Sequence, residues 1–141
     1  MQRVSEATVT VEGEVVGAVG PGLCALVGVT HDDGPDQARK LAAKVAKLRV
    51  FDDDEGVMNR SVLDVGREVL VVSQFTLYGS TAKGNRPSYI DAARPEHAEP
   101  LVDEVVAALR GLGLTVATGR FRTEMAVALV NDGPVTLLLE V

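Results

Sequence analysis

A chain of 141 residues with a formal net charge of −6 has the length of one domain and buries roughly 68–70% of its unfolded surface, enough for a real core. Hydrophobic residues make up 46% and aromatic ones only 4%, with no Trp, so that core is built from Val, Leu and Ala. The acidic balance excludes broad, non-specific affinity for nucleic acid, which needs clustered Lys and Arg, but is compatible with a short, defined single-stranded end.

Arg3 to Val11 alternates in the β manner, with Val4, Ala7, Val9 and Val11 apolar and one slip near Glu6. Glu12-Gly13 is a tight-turn signal and Glu14 to Val19 resumes the pattern, which predicts a hairpin over residues 4–19. After the turn Gly20-Pro21-Gly22, Leu23 to Val29 reads as a buried strand. It contains the single cysteine, Cys24, a small core residue with no partner for a disulfide. A helix is predicted from about Asp36 to Leu48, with Leu41, Val45 and Leu48 on its apolar stripe and Lys40, Lys44 and Lys47 on a neighbouring one. The basic stripe is a solvated face or a contact for RNA backbone.

Val50-Phe51 enters the acidic loop Asp52 to Gly56, whose consecutive carboxylates lack the alternating spacing of a calcium loop. Met58 to Val65 is a connector without a clear period. Val69 to Val72 is long enough for a buried strand, and it runs into the polar break Ser73-Gln74-Phe75-Thr76. That break reads equally as a strand leaving the core or as polar groups delivered to a cleft rim. Ser80 to Pro87 carries Lys83 and Arg86 and no acid. A second helix is predicted over Pro95 to Leu112, ending at Gly111 and Gly113. Strands Leu114–Ala117, Met125–Val130 and Val135–Val141 follow, the last two separated by the turn Asn131-Asp132-Gly133-Pro134. The fold class is α/β, a single mixed domain over 1–141. A curled sheet or partial barrel lies under two main helices, its open face covered by the curl or by a partner chain.

Only two histidines are present, His31 and His97, both in acidic, polar contexts. No Gly-x-Ser-x-Gly elbow, phosphate loop, His-Glu-x-x-His or cysteine pair occurs. A histidine-activated triad, a metal and a nucleotide cofactor are therefore not expected. What remains is Ser73, Gln74 and Thr76 at a strand end, Gly133-Pro134 in a turn, and Phe121 and Met125 on the segment leading to it. Proline is the one residue for which a cis peptide is cheap, about 0.5–1 kcal/mol.

Ser-Gln-Phe-Thr-Leu-Tyr-Gly at 73–79 together with Asn-Asp-Gly-Pro-Val-Thr at 131–136 resembles the D-aminoacyl-tRNA deacylases. The flanks Gln2-Arg3-Val4, Gly20-Pro21-Gly22-Leu23, Val62-Leu63-Asp64-Val65-Gly66 and Lys83-Gly84-Asn85-Arg86-Pro87-Ser88 agree over essentially the whole chain. The resemblance implies a cytoplasmic homodimer, metal- and cofactor-free. It would hydrolyse the ester between a D-amino acid and the terminal adenosine of tRNA, a quality-control step of translation, and involve no membrane. It implies that Ser73, Gln74, Phe75 and Thr76 line the aminoacyl-adenosine pocket. Gly133-Pro134 would be cis and reach into the partner subunit's pocket, with Met125, Phe121 and Asn131 also on the substrate side. Two departures stand out: members usually carry a few more residues before Gln-Arg-Val, so that either the start is assigned late or the first strand is shortened, and they often have Phe where this chain has Tyr89.

An aminoacyl ester is already activated and carries a neighbouring ribose hydroxyl, so it needs placement and oxyanion stabilisation more than a strong base. Backbone N–H groups near Phe75 and Thr76 would then hold the carbonyl, the alternative being Thr76 as covalent nucleophile. If Gly133-Pro134 rejects L side chains sterically, glycyl-tRNA, as when glycine is mischarged on the alanine tRNA, is expected to be hydrolysed too. The rival reading is a tRNA-end binding module of the same fold that turns nothing over.

Overall fold

In the computed structural model, which describes residues 1–141, strand β1 (Gln2–Val11) organises the sheet. Val4, Ala7, Val9 and Val11 are buried along it, while Ser5 and Glu6 are both exposed. This slip in the alternation coincides with a register break against β8 (Ala126–Thr136), where Val4 faces Asn131 and Glu6 faces Val130. One extra residue is taken up there, so the apolar side chains on both sides of it stay inward. Glu12 and Gly13, both at positive φ (50° and 80°), close the hairpin to β2 (Glu14–Val19), as a two-residue turn between twisted strands requires.

Strand β3 (Gly22–Val27) pairs antiparallel with the start of β1 and parallel with β6 (Glu68–Ser73), which in turn pairs parallel with β7 (Val116–Thr118). The sheet curls until β2 meets β7: a Cβ placed on Gly17 would lie 2.2 Å from the Thr118 carbonyl oxygen. A partial barrel results. Its interior holds Val4, Val9, Val19, Cys24, Leu70 and Val72, and burial pushes the Cys24 thiol pKa up, which fits an inert core residue.

Two helices cover the outer face. Helix α1 (Pro35–Lys47) buries Ala38, Ala42, Val45 and Ala46, and α2 (Pro95–Gly111) buries Ala98, Leu101, Val102, Val105, Val106 and Leu109. Small residues on α1 let α2 approach closely, and Arg39, held by Asp36 of its own helix at 3.0 Å, links α1 to Glu104 of α2 at 3.1 Å. Lys40, Lys44 and Lys47 are exposed. No helix is long and apolar enough to cross a membrane.

The unplaced connector 58–65 resolves into a strand and a capped turn. Strands β4 (Phe51–Asp52) and β5 (Met58–Arg60) form a ribbon around the acidic loop. Asp53 organises that loop: it accepts from the Asn59 side chain at 2.9 Å and from the Glu55 and Val57 N–H groups at 2.9 and 3.0 Å. Asp64 and Ser61 bond reciprocally at 2.8 and 3.1 Å. Hydrogen bonds, from Asn59 first for Asp53 and from the Ser61 N–H first for Asp64, hold both carboxyl groups below the ordinary aspartate range. A pKa depressed on folding contributes stability above the unfolded value that is lost as pH falls through the folded one. Melting temperature is therefore expected to drop below about pH 4, and to drop less steeply in Asp53→Asn.

The C-terminal third departs from expectation. Residues 126–136 form one strand instead of two joined by a turn, and residues 137–141 are not a strand. The cause is β1, which pairs with β8 at both ends, Gln2 with Thr136 and Thr10 with Ala126. The turn signal at 131–134 survives only as a bulge. Between Gln2 and Val4 the partner advances from Thr136 to Asn131, so Asp132 to Val135 bow out of the ladder. Beyond it, Leu137 exchanges bonds with Met1 at 2.7 and 2.9 Å. Strand β1 is paired with β8 from Gln2 onward.

Candidate active site

Strand β6 ends at Ser73, beside Val27 at the end of β3. Gln74 then donates its N–H to the Val27 carbonyl at 2.8 Å, and the backbone tightens into a 3₁₀ turn over Phe75–Tyr78. Such a turn leaves its first N–H groups without intrahelical partners. Neither the Phe75 nor the Thr76 N–H finds an acceptor within the chain, whereas Leu77 and Gly79 bond back to Gln74 and Thr76 at 3.3 and 2.9 Å. Two adjacent, unoccupied donors thus stand at the end of a buried strand.

A cavity of about 710 Å³ opens beside them, within the usual range for a small-molecule site. Ser73, Gln74, Phe75, Phe121 and Met125 line it together, brought from β6 and from the segment before β8. Thr76 does not line it: its side chain is exposed, and its hydroxyl accepts from the Gln74 amide. Asn131, Gly133 and Pro134 also lie outside the cavity of their own chain, on the exposed bulge of β8. The Gly133–Pro134 peptide is cis.

Arg3 secures that bulge. Its Nε donates to the Asp132 carbonyl at 2.8 Å and lies 3.5 Å from the Asp132 carboxylate, and its Nη1 donates to the Val50 carbonyl at 2.6 Å. One nearly buried guanidinium therefore ties the loop to the domain core, in the bidentate manner lysine does not reproduce.

Two glycines set the cavity's walls by close approach. A Cβ on Gly119 would lie 2.7 Å from the Met125 sulfur, and one on Gly79 would lie 2.9 Å from the Tyr89 ring. Gly79 thereby lets Tyr89 reach Phe75, and the rings pack edge-on at 5.3 Å. The Tyr89 side of the rim is pinned by paired backbone bonds between Ser80 and Ser88 at 2.8 and 2.9 Å, which hold the basic loop 81–87 beside it.

Three features escape a linear reading: the wall from Ala92 to Ala98, the Thr123 position, and two arginines, Arg94 and Arg122, on an otherwise mostly apolar lining without any acid. The histidines lie elsewhere. His31 and His97 donate from Nε2 to the backbone carbonyls of Ile90 and Asp33 at 2.6 and 2.7 Å, and neither lines the cavity. Among His, Cys, Asp and Glu, no group of three stands close enough to hold a metal ion.

Comparison with known proteins agrees with this geometry. Residues 1–140 match the family described as D-Tyr-tRNA(Tyr) deacylase. A D-aminoacyl-tRNA deacylase of Heliobacterium modesticaldum is 60% identical over 140 residues, covering 99% of this chain and 93% of that protein. One of Halalkalibacterium halodurans is 56% identical, covering 99% and 96%. A solved structure described as c-Myc DNA Unwinding Element Binding Protein superposes with a TM-score of 0.92 at 40% identity, over 99% of this chain and 95% of that one. A probable eukaryotic D-amino acid tRNA deacylase shares the fold, with a TM-score of 0.77 at 16% identity over 94% and 92%. Over nearly its whole length, then, the chain belongs to the D-Tyr-tRNA(Tyr) deacylase family.

Proposed function

We propose that the chain hydrolyses the ester of D-aminoacyl-tRNA, with the aminoacyl-adenosine seated in the cavity beside Ser73, Gln74 and Phe75. Membership of the family makes it a hydrolase of this class. The observation that carries the mechanism is the pair of unoccupied N–H groups on Phe75 and Thr76. Fixed backbone donors need no reorganisation as charge develops, so they suit the oxyanion of a tetrahedral intermediate. The ester is activated, and the neighbouring ribose hydroxyl assists the attack of water, so no protein base is required.

Thr76 is a positioning residue in this reading. Its hydroxyl already accepts from Gln74 and does not line the cavity, and no base stands by to activate it. Thr76→Ala is expected to keep single-turnover deacylation of D-tyrosyl-tRNA within about tenfold of wild type. A loss of many orders of magnitude would make Thr76 the nucleophile.

Handedness would be read by the bulge at Gly133-Pro134, contributed by a second copy to the first copy's cavity. The bulge is exposed and absent from its own cavity, and one face of the monomer exposes Leu26, Leu77, Leu129, Leu137 and Leu138 along a single groove. A face of this kind fits a homodimer. Rejection of L side chains by rigid backbone leaves glycine unopposed, so glycyl-tRNA is a substrate under the same reading. The rival, a module that binds the tRNA end without turnover, is disfavoured because both the strand-end motif and the bulge motif are intact.

A further inference from the structure

We infer that Arg94 and Arg122 bind the phosphodiester on the 5′ side of the terminal nucleoside, making them the residues that distinguish a tRNA end from a free aminoacyl nucleoside. The inference rests on the deacylase reading and names how its site takes the RNA chain. Both guanidinium-bearing residues line the cavity that holds Ser73, Gln74 and Phe75, and no Asp or Glu lines it. Neither takes part in any ion pair, and neither side chain donates a hydrogen bond within the chain, whereas Arg3, Arg39, Arg60 and Arg110 are all engaged. In a protein of net charge −6, two unpaired arginines on an acid-free wall are a local reversal of sign, and planar guanidinium groups match phosphate oxygens.

Two further observations point the same way. Arg122 sits at φ 59°, a left-handed backbone that glycine or asparagine occupies more cheaply, so an arginine here carries a local conformational cost. Arg94 immediately precedes α2, whose first turn lines the cavity through Pro95 and Ala98. The positive end of that seventeen-residue helix adds to the arginine's field at the same wall. Lys83 and Arg86 lie on the loop that the Ser80–Ser88 bonds pin beside Tyr89, a stretch from Ser80 to Pro87 that carries no acid.

The test compares two substrates, D-tyrosyl-tRNA and 3′-O-D-tyrosyl-adenosine, which has the same ester but no phosphate. Arg94→Gln, Arg122→Gln and Arg122→Gly are assayed on both. The glycine variant relieves the left-handed backbone, so its folding is not in question. On tRNA, kcat/KM is expected to fall about tenfold or more through KM, and its log–log salt dependence to become shallower by about 0.7 for each arginine removed. On the nucleoside ester the loss is expected to be several-fold smaller than on tRNA. Equal losses on both substrates, or no loss on tRNA, would overturn the assignment while leaving the deacylase reading intact. A wild-type protein inactive on both would overturn the deacylase reading and the assignment with it.

Discussion

Replacing Phe75 by proline is expected to lower single-turnover deacylation of D-tyrosyl-tRNA by about 10²–10³-fold relative to Phe75→Ala, the loss that follows removal of one oxyanion donor, about 2.7–4 kcal/mol. Proline deletes the Phe75 N–H and little else. The position is the first of the 3₁₀ turn, where proline's fixed φ fits and the missing N–H breaks no internal bond. Gln74, at φ −142° and ψ 82°, is already outside the helical region that a following proline disfavours. Phe75→Ala serves as the reference because it removes the edge-on packing against Tyr89 and keeps the N–H. Equal rates for the two variants would remove the backbone donor from the mechanism. Folding is checked independently by the melting transition, which both variants are expected to share within a few degrees.

The second large effect concerns assembly. Leu129→Glu combined with Leu138→Glu is expected to convert the protein to a monomer in sedimentation and to reduce deacylation on the order of 100-fold or more. Leu138 is 77% exposed in the single chain, so a charge there costs the monomer little. In an interface the same charge is buried unpaired. Under the dimer reading proposed above, activity is expected to fall with assembly, because the bulge at Gly133-Pro134 is absent from its own cavity and would reach one only in a partner copy. Leu112→Glu, just past the end of α2 and about as exposed as Leu129, is the control for an added surface charge. A monomeric variant with full activity would show that each chain completes its own site.

Much of the architecture is legible in local sequence because the relevant forces are local. The slip at Glu6 marks the bulge in β1, Glu12-Gly13 supplies the two positive-φ positions of the hairpin, and the apolar periods of the helices give bounds within about one residue of those observed. The C-terminal strand is not legible for the opposite reason. Asn131-Asp132-Gly133-Pro134 is a strong turn signal, yet pairing with β1 on both sides overrides it and leaves a bulge. Only the long-range register shows that.

The site divides in the same way. Ser73, Gln74 and Phe75 stand out as a polar break after Val69–Val72, and they do line the cavity. Thr76 belongs to the same run but does not line the cavity, because the strand's period of two ends where the 3₁₀ turn begins. Arg94 and Arg122 stand 28 positions apart in the numbering, Arg122 with Arg120 two residues before it. Nothing in either neighbourhood marks them, and their shared wall exists only once α2 and the segment before β8 are in place.

The central claim is that this cavity hydrolyses an activated RNA ester and selects by rejecting L side chains. It is tested most directly by single-turnover hydrolysis of D-tyrosyl-, L-tyrosyl- and glycyl-tRNA with purified, chelator-treated protein. Release of D-tyrosine and glycine is expected, with the L-tyrosyl ester left intact. Equal hydrolysis of the D- and L-tyrosyl esters, or binding of D-tyrosyl-tRNA without release, would contradict it.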